Sequence, residues 1–224
     1  MSVAIIGSGQ VGCAVATNLV KSSKFDVIFG SRDPKKTSEK IPQFTVTSTK
    51  DAIKSAVAVV LAVPGPPDEE GIKKIAADLG DCTGKVILDA TNPLTPFPAL
   101  AIRWGHEKSG GEILAQALPT AAVYKAFNTV GAEHIAHPEG AASGVSVQED
   151  MLVAGDETPD KRDLAMAVVK AAGFRPHFVG PIRYARNLEA IAELWIHLSA
   201  GIIGESNEDW GRGFNFGIIG HINE

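Results

Sequence analysis

The sequence predicts an α/β fold, a doubly wound parallel sheet with a small C-terminal helical unit, and three observations predict it. Short apolar runs of strand type alternate with amphipathic helical periods along most of the chain. The first run passes directly into the turn Gly7-Ser8-Gly9-Gln10-Val11-Gly12. Beyond Gly180-Pro181 the alternation gives way to one longer helical period. Strands covered on both faces read as continuous apolar runs, and parallel neighbours need a crossover helix between them, so this alternation calls for such a sheet. The change of pattern divides the chain into a sheet domain, residues 1–180, and a helix with a tail, residues 181–224.

The elements follow in order. Strand-type runs occupy residues 3–6, 26–30, 44–47, 57–62, 86–89, 123–127 and 151–154, with helices between most of them. The first helix runs over about residues 11–21. Asp33 caps the next, with Pro34 at its first position; Ser48 with Asp51 and Ser109 with Glu112 fit capping boxes, and Thr158-Pro159 places a cap before a first-turn proline. The last helix covers about residues 184–203, with Leu188, Ile191, Leu194, Trp195, Leu198 and Ile202 as its apolar stripe. The tail Trp210-Gly211-Arg212-Gly213-Phe214-Asn215-Phe216-Gly217 is glycine-rich yet aromatic, and is expected to pack over a pocket or across a dimer interface.

Composition narrows the classes of function. A chain of 224 residues, 45% of them hydrophobic, can bury a full α/β core. A net charge of -5 without any long basic run argues against a nucleic-acid partner or a polybasic membrane patch. The longest apolar stretch, residues 56–64, is too short to span a bilayer, and the chain enters its first strand with no secretory leader, so a cytoplasmic protein is expected. Cys13 and Cys82 are unpatterned and read as free thiols.

The glycine turn carries the chemistry. A strand running into G-x-G-x-x-G must turn sharply at Gly7, leave room for a pyrophosphate at Gly9, and let the helix approach the sheet at Gly12. Backbone N–H groups of Ser8, Gly9, Gln10 and Val11 then face the phosphates at the positive end of that helix. Strand, glycines, helix and second strand occur in the order that a Rossmann-type dinucleotide fold demands. An acidic residue ending the second strand would bind a ribose 2′-hydroxyl and repel a 2′-phosphate, but Gly30-Ser31-Arg32 stands there instead, followed by Lys35 and Lys36. NADP is therefore the expected cofactor, with Ser31, Arg32 and Lys36 on its 2′-phosphate; the alternative is a solvated basic turn.

Ligands of open α/β sheets lie beyond the carboxyl ends of the strands. The fourth strand ends in Ala62-Val63-Pro64-Gly65, small and stiff enough to pass under a flat ring. The fifth ends in Asp89-Ala90-Thr91-Asn92-Pro93, and the sixth in Lys125-Ala126-Phe127-Asn128-Thr129, which brings amides and hydroxyls to the same edge. Asn92 and Asn128 read either as ligand-binding amides or as turn-forming residues.

Taken together, these motifs and Gly180-Pro181 resemble the NADP oxidoreductases that reduce a deazaflavin, coenzyme F420. The same domain occurs fused to membrane helices in the metalloreductases of the six-transmembrane epithelial antigen family. The resemblance implies hydride transfer between NADP(H) and a deazaflavin or flavin, with no catalytic side chain, because the rings carry the reaction and the protein holds them together. It implies Ala62, Val63, Pro64, Asn92, Ala126 and Asn128 around the nicotinamide half, and a homodimer whose residues 181–224 complete the acceptor pocket or the interface. The acceptor stays open among coenzyme F420, FMN, FAD and a flavin-borne route to ferric ion.

Other constellations lead elsewhere. Glu133, His134, His137 and Glu139 lack a recognised metal-ligand spacing, so no metal is expected. His106, His177, His197 and His221 stand singly. Trp195 is expected in the core. A nucleotide sensor without turnover would share the glycine turn. A dehydrogenase for a hydroxyacid or imine would use Lys125 for proton transfer; for a flavin-type reductase, Lys125→Met is expected to change little.

Overall fold

The computed structural model describes residues 1–104, 107–144, 146–200 and 210–219. His106, Ile202 and His221 lie outside the described residues. Eight strands form one sheet: β1 (Ser2–Ile6), β2 (Asp26–Ser31), β3 (Thr45–Ser48), β4 (Ala58–Leu61), β5 (Val86–Asp89), β6 (Ala122–Lys125), β7 (Asp150–Gly155) and β8 (Arg175–Gly180), in the order β3-β2-β1-β4-β5-β6-β7-β8. The reversal of direction at β1 and β4 is the switch point of a Rossmann-type fold.

Helices cover both faces, which is why β4, β5 and β6 are buried at every position. Successive residues of β1 divide between two cores, as a period of two requires. Val3 and Ile5 join Val15 and Leu19 of α1 (Gln10–Ser22) and Val168 of α7 (Pro159–Ala171). Ala4 and Ile6 join Ile53 of α3 (Thr49–Ser55), Ile72 and Leu79 of α4 (Glu69–Leu79), and Leu114 of α5 (Gly110–Ala117). The caps at Asp33 and Ser48 accept from the N–H groups of Lys36 and Asp51, and Ser109 accepts from Glu112. Thr158 makes no side-chain cap bond; its own N–H donates to Asp156 instead.

Register places the strand ends in one row. Gly30 pairs with Ile6, Ile6 with Leu61, Leu61 with Asp89, and Asp89 with Lys125. The glycine turn and the ends of β2, β4, β5 and β6 thus emerge along a single carboxyl edge.

The sheet departs from a wholly parallel one at a single junction. β7 runs antiparallel to β6. Among the described residues, the chain between them carries the five-residue α6 (Ala132–Ala136) and a single 3-10 turn (Ala141–Ser143), too short to return across the sheet, so β7 starts from the carboxyl edge. β8 was not legible as a strand because Arg175, Pro176 and His177 break its apolar run. An edge strand tolerates a proline, and Arg175 and His177 both donate to Asp150, at 2.5 and 2.6 Å. These partners and the N–H of Ile218 overcome burial and hold the Asp150 carboxyl down at about 2.

The C-terminal helix α8 (Ala185–Ala200) buries Leu188 and Trp195 and leaves Leu194 half exposed. The tail, residues 210–219, folds back on its own chain. Trp195 Nε1 donates to Phe214 O, Asn215 to Glu149, Arg212 to Glu133, and Phe214 lies among Trp195, Trp210 and Phe216. His134 clamps it, with Nδ1 2.8 Å from Glu149 and Nε2 2.8 Å from the Arg212 carbonyl.

Both His134 nitrogens face acceptors, which only the imidazolium satisfies. Burial lowers its pKa, but the bonds to Glu149 and Arg212 O and the charges of Glu149 and Glu133 outweigh it, so the net direction is upward. A raised folded-state value means that this contribution is complete below the unfolded value of about 6.5 and is lost as pH rises through the folded one. Melting temperature is expected to fall between pH 6 and 9 in the native chain, and His134→Gln is expected to remove most of that slope; an unchanged slope would sink the clamp.

Candidate functional site

A cleft of about 840 Å³ opens along the carboxyl edge, lined by residues 7–11, 30–33 and 62–64 together with Thr37, Thr49, Ile75, Asp78 and Leu79. Its floor is the glycine turn. Gly7 has φ +117°, and a Cβ there would stand 2.3 Å from Ala62 O; at Gly12 a Cβ would stand 2.0 Å from Gly7 O. The fold itself requires those two. A Cβ on Gly9 would meet nothing within 4 Å, so the space above Gly9 is open cleft. α1 begins there with no side-chain cap, whereas α2 (Pro34–Lys40), α3, α4 and α5 are capped by Asp33, Ser48, Asp68 and Ser109. The first amides of α1 are thus left for an anion.

At the end of β2, Ser31 Oγ accepts from Asp33 N at 3.0 Å and pairs with Thr37 Oγ1 at 2.8 Å. Arg32 lines the cleft and is exposed, while Asp33 is occupied in capping α2. Lys36 is exposed and bonds through its backbone N–H. Lys40, one turn beyond Thr37, reaches across to donate to Ser8 O at 2.8 Å. Sequence reading missed Thr37 and Lys40 because the turn after β2 drew attention to adjacent residues, and neither belongs to a spaced motif.

At the other end, Ala62, Val63 and Pro64 line the cleft. Gly65 then touches the Asn92 backbone so closely that a Cβ would stand 2.1 Å from Asn92 O. Asn92 Nδ2 donates to Asn128 O, and Asn128 Nδ2 donates to Asn92 Oδ1 and Leu188 O, each at 3.0 Å. Phe127 makes this pairing possible at φ +64°, a left-handed conformation that costs an aromatic residue about 1–2 kcal/mol. It also ends β6 two residues before the predicted end. Asn128 Oδ1 is buried and has no hydrogen-bond partner among the described residues. Ala126 is fully buried, within the core beneath.

Below this edge lies a group of buried charges. Lys125 is completely buried, and its three N–H bonds go to Asp89 Oδ2 at 2.8 Å, Thr91 O at 2.6 Å and Glu189 Oε1 at 2.8 Å. Glu189 also accepts from the N–H groups of Gly110 and Gly111 at the start of α5. Burial disfavours the Lys125 ammonium, but the Asp89 and Glu189 charges prevail and hold it protonated. With every proton engaged, Lys125 ties the elements around it together, so Lys125→Met bears on stability whatever it does to reduction of a flavin-type acceptor. Removing the ammonium would leave two carboxylates buried without their cation.

Residues 2–93 match the family model described as NADP oxidoreductase, coenzyme F420-dependent. Metalloreductase STEAP3 of Rattus norvegicus is 32% identical over 190 residues, 84% of this chain and 36% of that protein, so the chain spans about a third of this curated relative. Among solved structures, a proposed F420-dependent NADP-reductase from Arthrobacter sp. FB24 superposes with a TM-score of 0.77 at 24% identity, covering 98% of this chain and 99% of that one. A reductive aminase from Aspergillus terreus in complex with NADPH and ethyl levulinate gives 0.61 at 18% identity, over 89% of this chain and 65% of that one. At these identities the structural likenesses establish the fold.

Two outcomes test the geometry. Lys125→Met is expected to cost about 3–5 kcal/mol of stability in a urea titration, as loss of one member of a buried charge group does; full stability would refute the network. Gly12→Ala is expected to lower the melting temperature by several degrees, and Gly9→Ala to leave it within about one degree, since only the former meets backbone.

Proposed function

From the match of residues 2–93 to the family model described as NADP oxidoreductase, coenzyme F420-dependent, we propose that this chain binds NADP(H) in the cleft and serves hydride transfer to a deazaflavin or flavin. One observation carries the reading: an uncapped helix start beneath space left open at Gly9 faces Ser31 and Arg32, where an acidic residue would favour the unphosphorylated coenzyme. The residues that line the cleft support the reading. Gly7, Ser8, Gly9, Gln10 and Val11 offer backbone to the pyrophosphate. Ser31 and Arg32 offer a hydroxyl and a guanidinium fork to the 2′-phosphate.

Ala62, Val63 and Pro64 give the nicotinamide half a small, stiff wall. Asn128 keeps one acceptor unpaired, which matches the N–H donors of a carboxamide. When bound, the nicotinamide supplies the hydride chemistry. The chain's part is to orient the ring and exclude water, and the buried, fully bonded Lys125 offers no proton to a substrate. The likeness to a metalloreductase favours a flavin-borne route to ferric ion as the second reading.

Calorimetry with NADPH and NADH, followed by stopped-flow oxidation against coenzyme F420, FMN, FAD, riboflavin and ferric chelates, tests both halves. NADPH is expected to bind tighter than NADH, and Arg32→Ala to weaken NADPH by about tenfold to a hundredfold with little change for NADH. No heat with NADPH would end the proposal. Binding without oxidation by any acceptor would turn it into a nucleotide sensor.

A further inference from the structure

We propose that Lys40 is a second cation for the 2′-phosphate of the coenzyme, opposite Arg32; this rests on the NADP reading above. Lys40 ends α2, the helix that begins beside Arg32. One turn earlier on that helix, Thr37 lines the cleft and bonds Ser31, so this face of α2 forms a wall of the same corner. Lys40 Nζ donates to Ser8 O at 2.8 Å, bridging from α2 to the glycine turn, whose Ser8 lines the cleft. Its charge is also felt by Cys13 on the first turn of α1, where it opposes the upward push of burial on the thiol.

The charge count fits the ligand. A phosphomonoester carries about -1.5 to -2 near neutral pH, more than one guanidinium neutralises. Among the described residues neither Arg32 nor Lys40 forms an ion pair with a carboxylate, and the nearby Asp33 is turned to cap α2. Arg32 and the two hydroxyls of Ser31 and Thr37 line one corner of the cleft, and Lys40, also without a carboxylate partner, reaches the glycine turn that lines it too. Holding a backbone carbonyl is a weak use of an ammonium at an exposed rim. A phosphate oxygen is the stronger, charge-assisted acceptor, for which Lys40 can exchange the Ser8 carbonyl with little rearrangement.

Calorimetry with 2′,5′-ADP and 5′-ADP, beside NADPH and NADH, tests this without any turnover. Lys40→Met is expected to weaken 2′,5′-ADP and NADPH about tenfold and 5′-ADP and NADH less than twofold, with a shallower salt dependence for the first pair. Lys40→Arg is expected to restore affinity to within about threefold, and the melting temperature of both variants to match the native chain. Equal losses for the two pairs would place the ammonium on the pyrophosphate and overturn the proposal, as would no loss. If the native chain does not favour 2′,5′-ADP over 5′-ADP, the NADP reading itself fails and Lys40 falls with it; a native preference untouched by Lys40→Met condemns the inference alone.

Discussion

The buried ammonium of Lys125 is the interaction on which the carboxyl edge of the sheet depends. It has three protons and three acceptors, drawn from the end of β5, the loop after it and α8. Glu189 passes the connection on to the start of α5, where two backbone N–H groups and the helix dipole stabilise the second carboxylate that one ammonium cannot neutralise alone. Four elements and a loop are thereby held in one geometry beneath the site. A buried charge group is poor evidence of net stability, but it specifies arrangement, because any displacement leaves a charge without its partner.

On this base the cleft divides into two halves with different physics. The half at the glycine turn is made of backbone N–H groups, hydroxyls and exposed cations, suited to a charged ligand portion. The other half is stiff: Ala62, Val63 and Pro64 line it, and Gly65 next to them packs on Asn92, which is bonded to Asn128 beside the left-handed Phe127. Strain concentrated at Phe127, next to the unpaired acceptor of Asn128, is a common sign of a site whose geometry is maintained against local preference.

The flank beyond β6 serves a separate purpose in the fold. The reversed β7 and the edge strand β8 bring Glu149 and Asp150 to one side, and the tail from Trp210 onward closes over them through backbone and side-chain bonds. That closure buries Trp195 and gives α8 a partner on the side away from α5. α8, which supplies Glu189 to the charge group, is thus secured from both sides.

The sequence by itself determined the order of the first seven strands, the glycine turn and most caps. Each of these depends on local rules: a period of two or 3.6, a cap next to its helix, a turn that only glycine permits. Tertiary structure alone decided the reversal of β7, the strand character of residues 175–180, and the assignment of Lys125 to a buried network. It also decided the reach of Lys40 to Ser8 and the pairing of Asn92 with Asn128. In each of those cases the partner lies tens of residues away in sequence, and the energy that settles the outcome belongs to the pair, so neither residue announces it alone.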